Sequence, residues 1–320
     1  MAQPKRTEVH VDQPLTNLSI AYIQQADNFA ADSIAPRVPV QKQSDKYPTY
    51  TKSYWMQNSA RRRAPGTESA GSGYGIEWAT YECEVWAVHK DLDDQTAANT
   101  DNPLDATTDA VNFVTEQMLI ARESQVASTV FQASTWTGST TGADISVSTK
   151  WDDATSTPIE DVRTQAFNIR EVTGRKPNLM VVGPEVFAKL ADHPDILDRI
   201  KYTQRGIVTP DLIAAVFDVD RFVIPFATRN TAEEGATGSY SFFWGKNAWL
   251  GHVAPNPGLR TPSALYNFIW TGYAGANAYG IGVDSFRMDE LKAERYEAEL
   301  AFDVKVVGAD LAAYFTSVVS

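Results

Sequence analysis

The chain has 320 residues, 43% of them hydrophobic, enough to bury the core of one large domain or two ordinary ones. Its 40 acidic and 28 basic residues give a formal charge of -12, which argues against a reader of DNA or RNA sequence, because that affinity comes from Lys and Arg neutralising phosphates. A single cysteine, Cys83, excludes an intramolecular disulfide framework and any multi-cysteine zinc site.

Met1 to Asp12 is polar and charged and lacks the apolar stretch of a signal peptide, so export is not expected. The longest apolar runs, such as Ile213 to Phe217, fall far short of the roughly 20 residues of a membrane span, so no membrane partner is expected either. The first fifty residues carry isolated apolar anchors, Ile20, Tyr22, Ile23, Phe29, Ile34, Val38 and Val40, with Pro36 and Pro39 holding the backbone extended. That pattern predicts an arm that buries its anchors on the main body or on a neighbouring subunit, with a helical turn over 17–25. Residues 46–55 and 77–90 are rich in Tyr, Trp, Thr and Val and read as two strands. Between them lie Arg61, Arg62, Arg63, Ala64, Pro65 and Gly66, then Gly71, Gly73 and Gly75, a basic, glycine-rich tip. The simplest assembly is a long hairpin. Fourteen residues of strand would reach roughly 45 Å, against a radius of gyration of about 20 Å for a compact body of this length, so the hairpin is expected to project.

Leu104 to Phe131 contains no Gly or Pro and spaces Val111, Val114, Met118 and Ala121 as one face of a helix, beside Leu119, Val126 and Val130. A polar Gly, Ser and Thr loop follows over 137–149. Thr157 with Glu160 has the form of a capping box, Pro158 opens the next helix, Ile159, Val162, Ala166 and Ile169 stripe it, and Gly174 ends it. A buried strand is expected over 178–182, helices from Pro184 and Pro210, and a strand over 221–225, which makes the middle third α/β. Further strands are expected at 240–244, 249–253, 265–270, 280–286, 295–307 and 313–319.

Candidate chemistry is sparse. His10, His89, His193 and His252 lack the spacing of zinc ligands. Asp91, Asp93 and Asp94 lack the glycine and glutamate of an EF-hand loop and read as a solvated turn. Gly71, Gly73 and Gly75 are followed by Ile76 and no helix, so a phosphate loop is excluded. Glu82 with Glu84 and Glu297 with Glu299 share strand faces, as general acid/base pairs could, but no nucleophile elbow accompanies them, and Cys83 reads as a buried, inert thiol. No catalytic residue and no cofactor are named. The arginine tip reads as a charge cluster that pairs with acidic residues of a neighbouring subunit in preference to nucleic acid.

The order of these parts resembles the major capsid proteins of tailed phages, which share the Hong Kong 97-like fold. The resemblance covers nearly the whole chain and rests on the arm segment Thr16 to Tyr22, the stretch Ala35 to Tyr47, the tip Arg63 to Glu68 and the tail Leu291 to Leu300. It implies an α+β fold with an N-terminal arm at 1–45, an extended E-loop hairpin at 46–92, a peripheral domain with a long spine helix at 93–175 and 265–320, and an α/β axial domain at 176–264. It also implies pentamers and hexamers that close into an icosahedral shell around double-stranded DNA held without sequence specificity. The partners implied are other copies of the chain, a separate scaffolding protein, a portal and a decoration protein, with assembly in the host bacterial cytoplasm and residence in the virion. Expected contacts between subunits are Tyr54, Trp55, Arg61, Arg62, Arg63, Trp78 and Trp86 of the E-loop, and Ile20, Tyr22, Ile23 and Phe29 of the arm, because aromatics on projecting elements find too few neighbours in their own chain. Two other readings remain at this stage. An encapsulin-like compartment would share the fold and hold a protein cargo, and a soluble α/β hydrolase would use the carboxylate pairs in a cleft.

Overall fold

The computed structural model describes residues 24, 28–99, 105–200, 208–233, 235–258, 260–272 and 281–320. Ile20, Tyr22, Ile23, His10 and, apart from Gln24, the helical turn expected over 17–25 lie outside the described residues. In chain order the elements are α1 (Ala31–Ile34), β1 (Arg37–Val40), β2 (Ser44–Tyr50), α2 (Lys52–Trp55), β3 (Ile76–Glu82), β4 (Glu84–Asp93), α3 (Asp94–Asn99), α4 (Ala106–Val130), β5 (Ile145–Ser146), α5 (Pro158–Thr173), β6 (Leu179–Val182), α6 (Pro184–Ala191), α7 (Pro194–Ile200) and α8 (Pro210–Phe217). There follow β7 (Arg221–Val223), β8 (Thr228–Asn230), β9 (Tyr240–Phe242), β10 (Ala248–Gly251), β11 (Leu265–Trp270), β12 (Gly282–Met288), β13 (Ala293–Val306) and β14 (Ala312–Thr316).

Helix α4 spans about 37 Å at 1.5 Å per residue. Asp105 caps it, accepting from the amides of Thr107 and Thr108 at 3.0 and 3.2 Å. Its first half packs Val114 and Met118 on a sheet in which β13 is central, with Ala298, Leu300 and Phe302 beneath the helix and Trp86 and Val88 beside them. In that sheet β4 pairs with β13 along one edge, while β12 and then β11 pair with the other, and β1 lies parallel to β11. The second half of α4 sends Val126, Ala127 and Val130 into a different cluster, with Trp136, Trp244 and Trp249 and the root of the N-terminal segment, Ala30, Ala31 and Ile34. One helix therefore ties two cores together.

The second core is a sheet of order β5-β14-β10-β6-β7. Met180 and Val182 of β6 face a cluster that includes Val162 and Ile169 of α5, Leu190 of α6, Ile196 of α7 and Ile213 of α8. Leu179 and Val181 face the tryptophan cluster on the other side. Both faces are covered, which explains why β6 reads as an uninterrupted apolar run, Leu-Met-Val-Val, with no alternation.

Several expectations change here. The sheet takes β14 from the C-terminus and β5 from the loop at 137–149, and α5 packs on it, so boundaries at 175/176 and 264/265 cut through one packed unit. The capping box does not form: Thr157 is the N-cap of α5, but its side chain makes no capping bond, and its backbone oxygen accepts from Glu160 N at 3.1 Å. Residues 52–55 turn into α2 where a continuing strand was expected. The expected 77–90 strand divides at Cys83 into β3, which pairs with β2, and β4, which leaves the hairpin for β13. The hairpin strands are seven residues each, about 23 Å at 3.3 Å per residue, half the expected length. No described helix is long and apolar enough to cross a membrane.

Candidate interaction surfaces

The β2–β3 hairpin is anchored at its root by aromatic packing. Tyr81 stacks on Phe268 with centroids 4.7 Å apart, Tyr47 approaches the same ring at 5.3 Å, and Glu82 N donates to Asp303 Oδ2 at 2.8 Å. Cys83 closes this root, fully buried, and burial, with the Asp303 charge second, pushes its thiol up to about 12. Beyond the root the hairpin runs past the end of β13: Lys52 of α2 pairs with Asp310, and the Met56 side chain reaches Gly174 at the end of α5.

Past that point apolar side chains stand in solvent. Tyr50, Trp55 and Tyr74 form one aromatic group, with Trp55 at 5.7 Å from Tyr50 and 5.6 Å from Tyr74. Trp55 is 59% exposed, Trp78 64%, and Tyr54 and Met56 are exposed as well. These rings cover one another only in part, and a lone subunit leaves several large apolar side chains together in water, the mark of an interaction site. At the tip, Thr67 N donates to Ala64 O at 3.2 Å with Pro65 and Gly66 at the corner, and Gly66 has φ +76. This is a type II turn, which needs a residue of positive φ at its third place. Arg63 Nε donates to the carbonyl of Thr67, and Arg61, Arg62 and Arg63 are all exposed.

Of the residues singled out from sequence, Tyr54, Trp55, Trp78 and the three arginines thus fall on this arm. Trp86 does not: it is half-buried on β4, 6.0 Å from the Phe302 ring and directed to the core under α4, because the chain breaks at Cys83 before reaching it. Phe29 is half-buried in the segment that leads into α1. Asp91 and Asp94 are spent on Arg295 and Arg287, and among the described residues no group of three or more His, Cys, Asp or Glu could hold a metal ion. His193 is buried in a local network, with Nε2 2.9 Å from Ser156 Oγ and 3.0 Å from Asp153 O, and Nδ1 accepting from Asp195 N.

Residues 110–227 match the family model of phage major capsid protein E. The major capsid protein of Burkholderia phage BcepMu is 30% identical over 260 residues, which cover 79% of this chain and 80% of that protein. The chain belongs to the phage major capsid protein family. Its fold is the Hong Kong 97-like capsid fold: a phage-related protein from Bordetella bronchiseptica superposes with a TM-score of 0.69 at 21% identity, over 92% of this chain and 94% of that one. The mature capsid of bacteriophage PhiM1 gives 0.62 at 12% identity, over 96% and 92%. The protein is a structural component of a phage shell.

A second feature of this capsid protein was not legible in sequence terms as a site. Glu123, fully buried on α4, accepts from Ala30 N at 3.2 Å, Ala31 N at 2.9 Å and Trp244 Nε1 at 2.7 Å. Burial pushes its carboxyl above the ordinary range, against the three donors that favour the charge. Beside it, buried Arg122 donates to Asp32 Oδ2 at 2.9 Å, and Asp32 also pairs with Arg37. Burial works against the Asp32 charge, but the bonds and charges of Arg37 and Arg122 outweigh it and hold its carboxyl below the usual value. Two turns earlier Glu116 accepts from Gln24 N at 3.2 Å, and the Gln24 side chain bridges the backbone of Thr228 at 2.8 and 3.0 Å. Backbone amides of the N-terminal segment are therefore held by carboxylates of the long helix. The signal was present: Met118, Arg122, Val126 and Val130 are spaced by four, so Arg122 occupies a place in the apolar stripe.

Proposed function

We propose that this capsid protein assembles as pentamers and hexamers into an icosahedral shell enclosing double-stranded DNA, and that the β2–β3 hairpin is its E-loop and reaches a neighbouring subunit. In this reading α4 is the spine helix, the sheet built around β6 and β10 with its helices is the axial domain, and the segment before β1 is the root of an N-terminal arm. A separate scaffolding protein, a portal and a decoration protein would complete the particle, and assembly would take place in the host bacterial cytoplasm. The observation that carries the reading is the exposed aromatic group on the hairpin, Trp55, Trp78, Tyr54 and Tyr74, which a single subunit leaves in water and a second subunit would cover. The net charge of -12 agrees with a container whose wall does not hold the packed polyanion.

The test is removal of Arg61 to Gly73. All thirteen of these positions are exposed and none belongs to a core cluster, so the variant should fold and melt like the full chain yet give no closed shells by size exclusion and negative-stain electron microscopy. Normal shells from this variant would sink the E-loop assignment. Shells of the full chain filled with a protein cargo would overturn the genome-container reading.

A further inference from the structure

The β8–β9 hairpin is a two-stranded sheet with an open edge. Phe243 N donates to Ala227 O and Thr231 N to Ser239 O. Bonded pairs alternate with unbonded ones along an antiparallel ladder, so Thr228 and Asn230 turn their peptide groups away from β9. Among the described residues no strand pairs on that side. A side chain does: the amide of Gln24 donates to Thr228 O at 2.8 Å and accepts from Thr228 N at 3.0 Å, the two bonds that a neighbouring strand would make. One face of the hairpin is taken by the body, since Ala227 is fully buried and Phe243 packs on the cluster around Trp244 with the Arg229 guanidinium over its ring. The other face carries Phe226, Tyr240 and Phe242. Phe226 and Phe242 meet edge to face at 6.5 Å, yet Phe226 is 44% exposed and Tyr240 77%. An open strand edge beside an exposed aromatic face is a template for one more strand.

We propose that residues 18–23 of the same chain fill this place, adding to the free edge of β8 as a third strand with Leu18, Ile20 and Tyr22 on the aromatic face. The inference rests on the reading of the N-terminal segment as an arm, and it names the seat of that arm. Two observations select the occupant. Gln24 is already bonded to the edge, so the residues before it start there. Six of them reach about 20 Å at 3.3 Å each, and so short a tether gives this segment a local concentration that a separate strand does not match. The second is the pattern Asn17-Leu18-Ser19-Ile20-Ala21-Tyr22, which alternates small or polar side chains with large apolar ones, the period of a strand with one apolar face. Seated in this way the segment runs extended, in place of the helical turn expected over 17–25.

The test is cleavage of the full chain by chymotrypsin after Tyr22, followed by mass spectrometry on unassembled subunits separated by size exclusion. The parent chain should be cut slowly, because a bond held in a sheet reaches the protease only after local opening. The variant F226S/Y240S, which alters only exposed rings, should be cut about tenfold faster or more, because the open form is then more populated. Fast cleavage of the parent, or equal rates in parent and variant, overturns the proposal. Protection should be unchanged on dilution; protection lost on dilution means that a second copy supplies the strand, and overturns the assignment to the same chain. The arm reading is judged separately, by removal of residues 1–23. If that chain gives no closed shells, the arm reading stands whatever its seat, and if it forms normal shells, the arm reading has failed. Circular dichroism checks each subunit. Should F226S/Y240S not fold, L18D/I20D, which changes no described residue, replaces it and should speed cleavage alike, and an unchanged rate overturns the proposal.

Discussion

Glu123 offers the sharpest prediction about how the subunit is held together. Replacing it with Ala would leave three buried donors, Ala30 N, Ala31 N and Trp244 Nε1, with no acceptor, and would strip Arg122 of a neighbouring negative charge. A buried donor left unpaired costs about 1–3 kcal/mol. Three of them exceed what relief of the buried charge returns, so a net loss of roughly 3–5 kcal/mol is expected for Glu123→Ala, the range seen when one member of a buried ionic network is removed. Glu123→Gln keeps one carbonyl oxygen for two donors and turns an amide NH2 to the third, so about 1–2 kcal/mol is expected. The assay is urea unfolding followed by tryptophan fluorescence, in the tip-deleted chain so that assembly does not intrude. A loss under about 1 kcal/mol for the Ala variant, or equal losses for Ala and Gln, would refute the acceptor argument. The pH dependence has a defined sign. Because the folded pKa of Glu123 is raised, the folded state binds its proton more tightly than the unfolded chain does. Its charge therefore penalises folding above that raised pKa, and as pH falls toward the ordinary carboxylate value the wild type should gain stability relative to Glu123→Gln.

Gly174 ends α5 with φ +67, and an added Cβ would meet only the tip of Met56 at an ordinary 3.9 Å, so Gly174→Ala should cost about 1 kcal/mol through backbone strain alone, and a stabilised variant would contradict that account. Ile169→Ala empties a fully buried position between α5 and β6 and should lose about 2–5 kcal/mol in the same urea assay. Cys83, buried and with its thiol pushed up to about 12, should resist maleimide at pH 8 in the native subunit and react fully in denaturant; rapid native labelling would show that the hairpin root opens.

What was readable in sequence follows from how local each signal is. Helices α5, α6 and α8 announce themselves because a proline at the first turn fixes the backbone angle that a helix start needs, and Gly174 supplies the positive φ that stops one. The residues of β11 by themselves mark its span, Leu265–Trp270. The division of the second hairpin strand was not, because residues 76–93 keep one β-forming composition throughout, and only pairing with β13, some two hundred residues later, decides that Glu84–Asp93 leaves the hairpin. The same holds for β14 and β5, which join β10 through a register that no local pattern records. Among the aromatics expected at contacts, the exposure of Trp55 and Trp78 follows from their place on the arm, whereas Trp86 is indistinguishable from them in sequence and is half-buried against Phe302. Glu123 and Arg122 escaped because charged residues in a helix are read as its wet face, although the spacing of Met118, Arg122 and Val126 placed Arg122 on the dry one.

The positions that stabilise the subunit and those proposed to join subunits are nearly disjoint, and the physics of each explains why. The second of the two clusters that α4 connects buries Trp136, Trp244 and Trp249 completely, and the cluster beneath α5 buries Trp151, so every one of these rings is committed before any second copy arrives. The hairpin gives only its root, Tyr47, Tyr81 and Cys83, to a core and sends Trp55, Trp78 and the arginines outward. Asp284 opposite Glu297 is a like-charge pair, which weakens a sheet, and the packing of Ala298 and Leu300 beneath α4 stabilises the strands around it. A subunit arranged in this way commits its cores within one chain and leaves the hairpin aromatics for the neighbour proposed above.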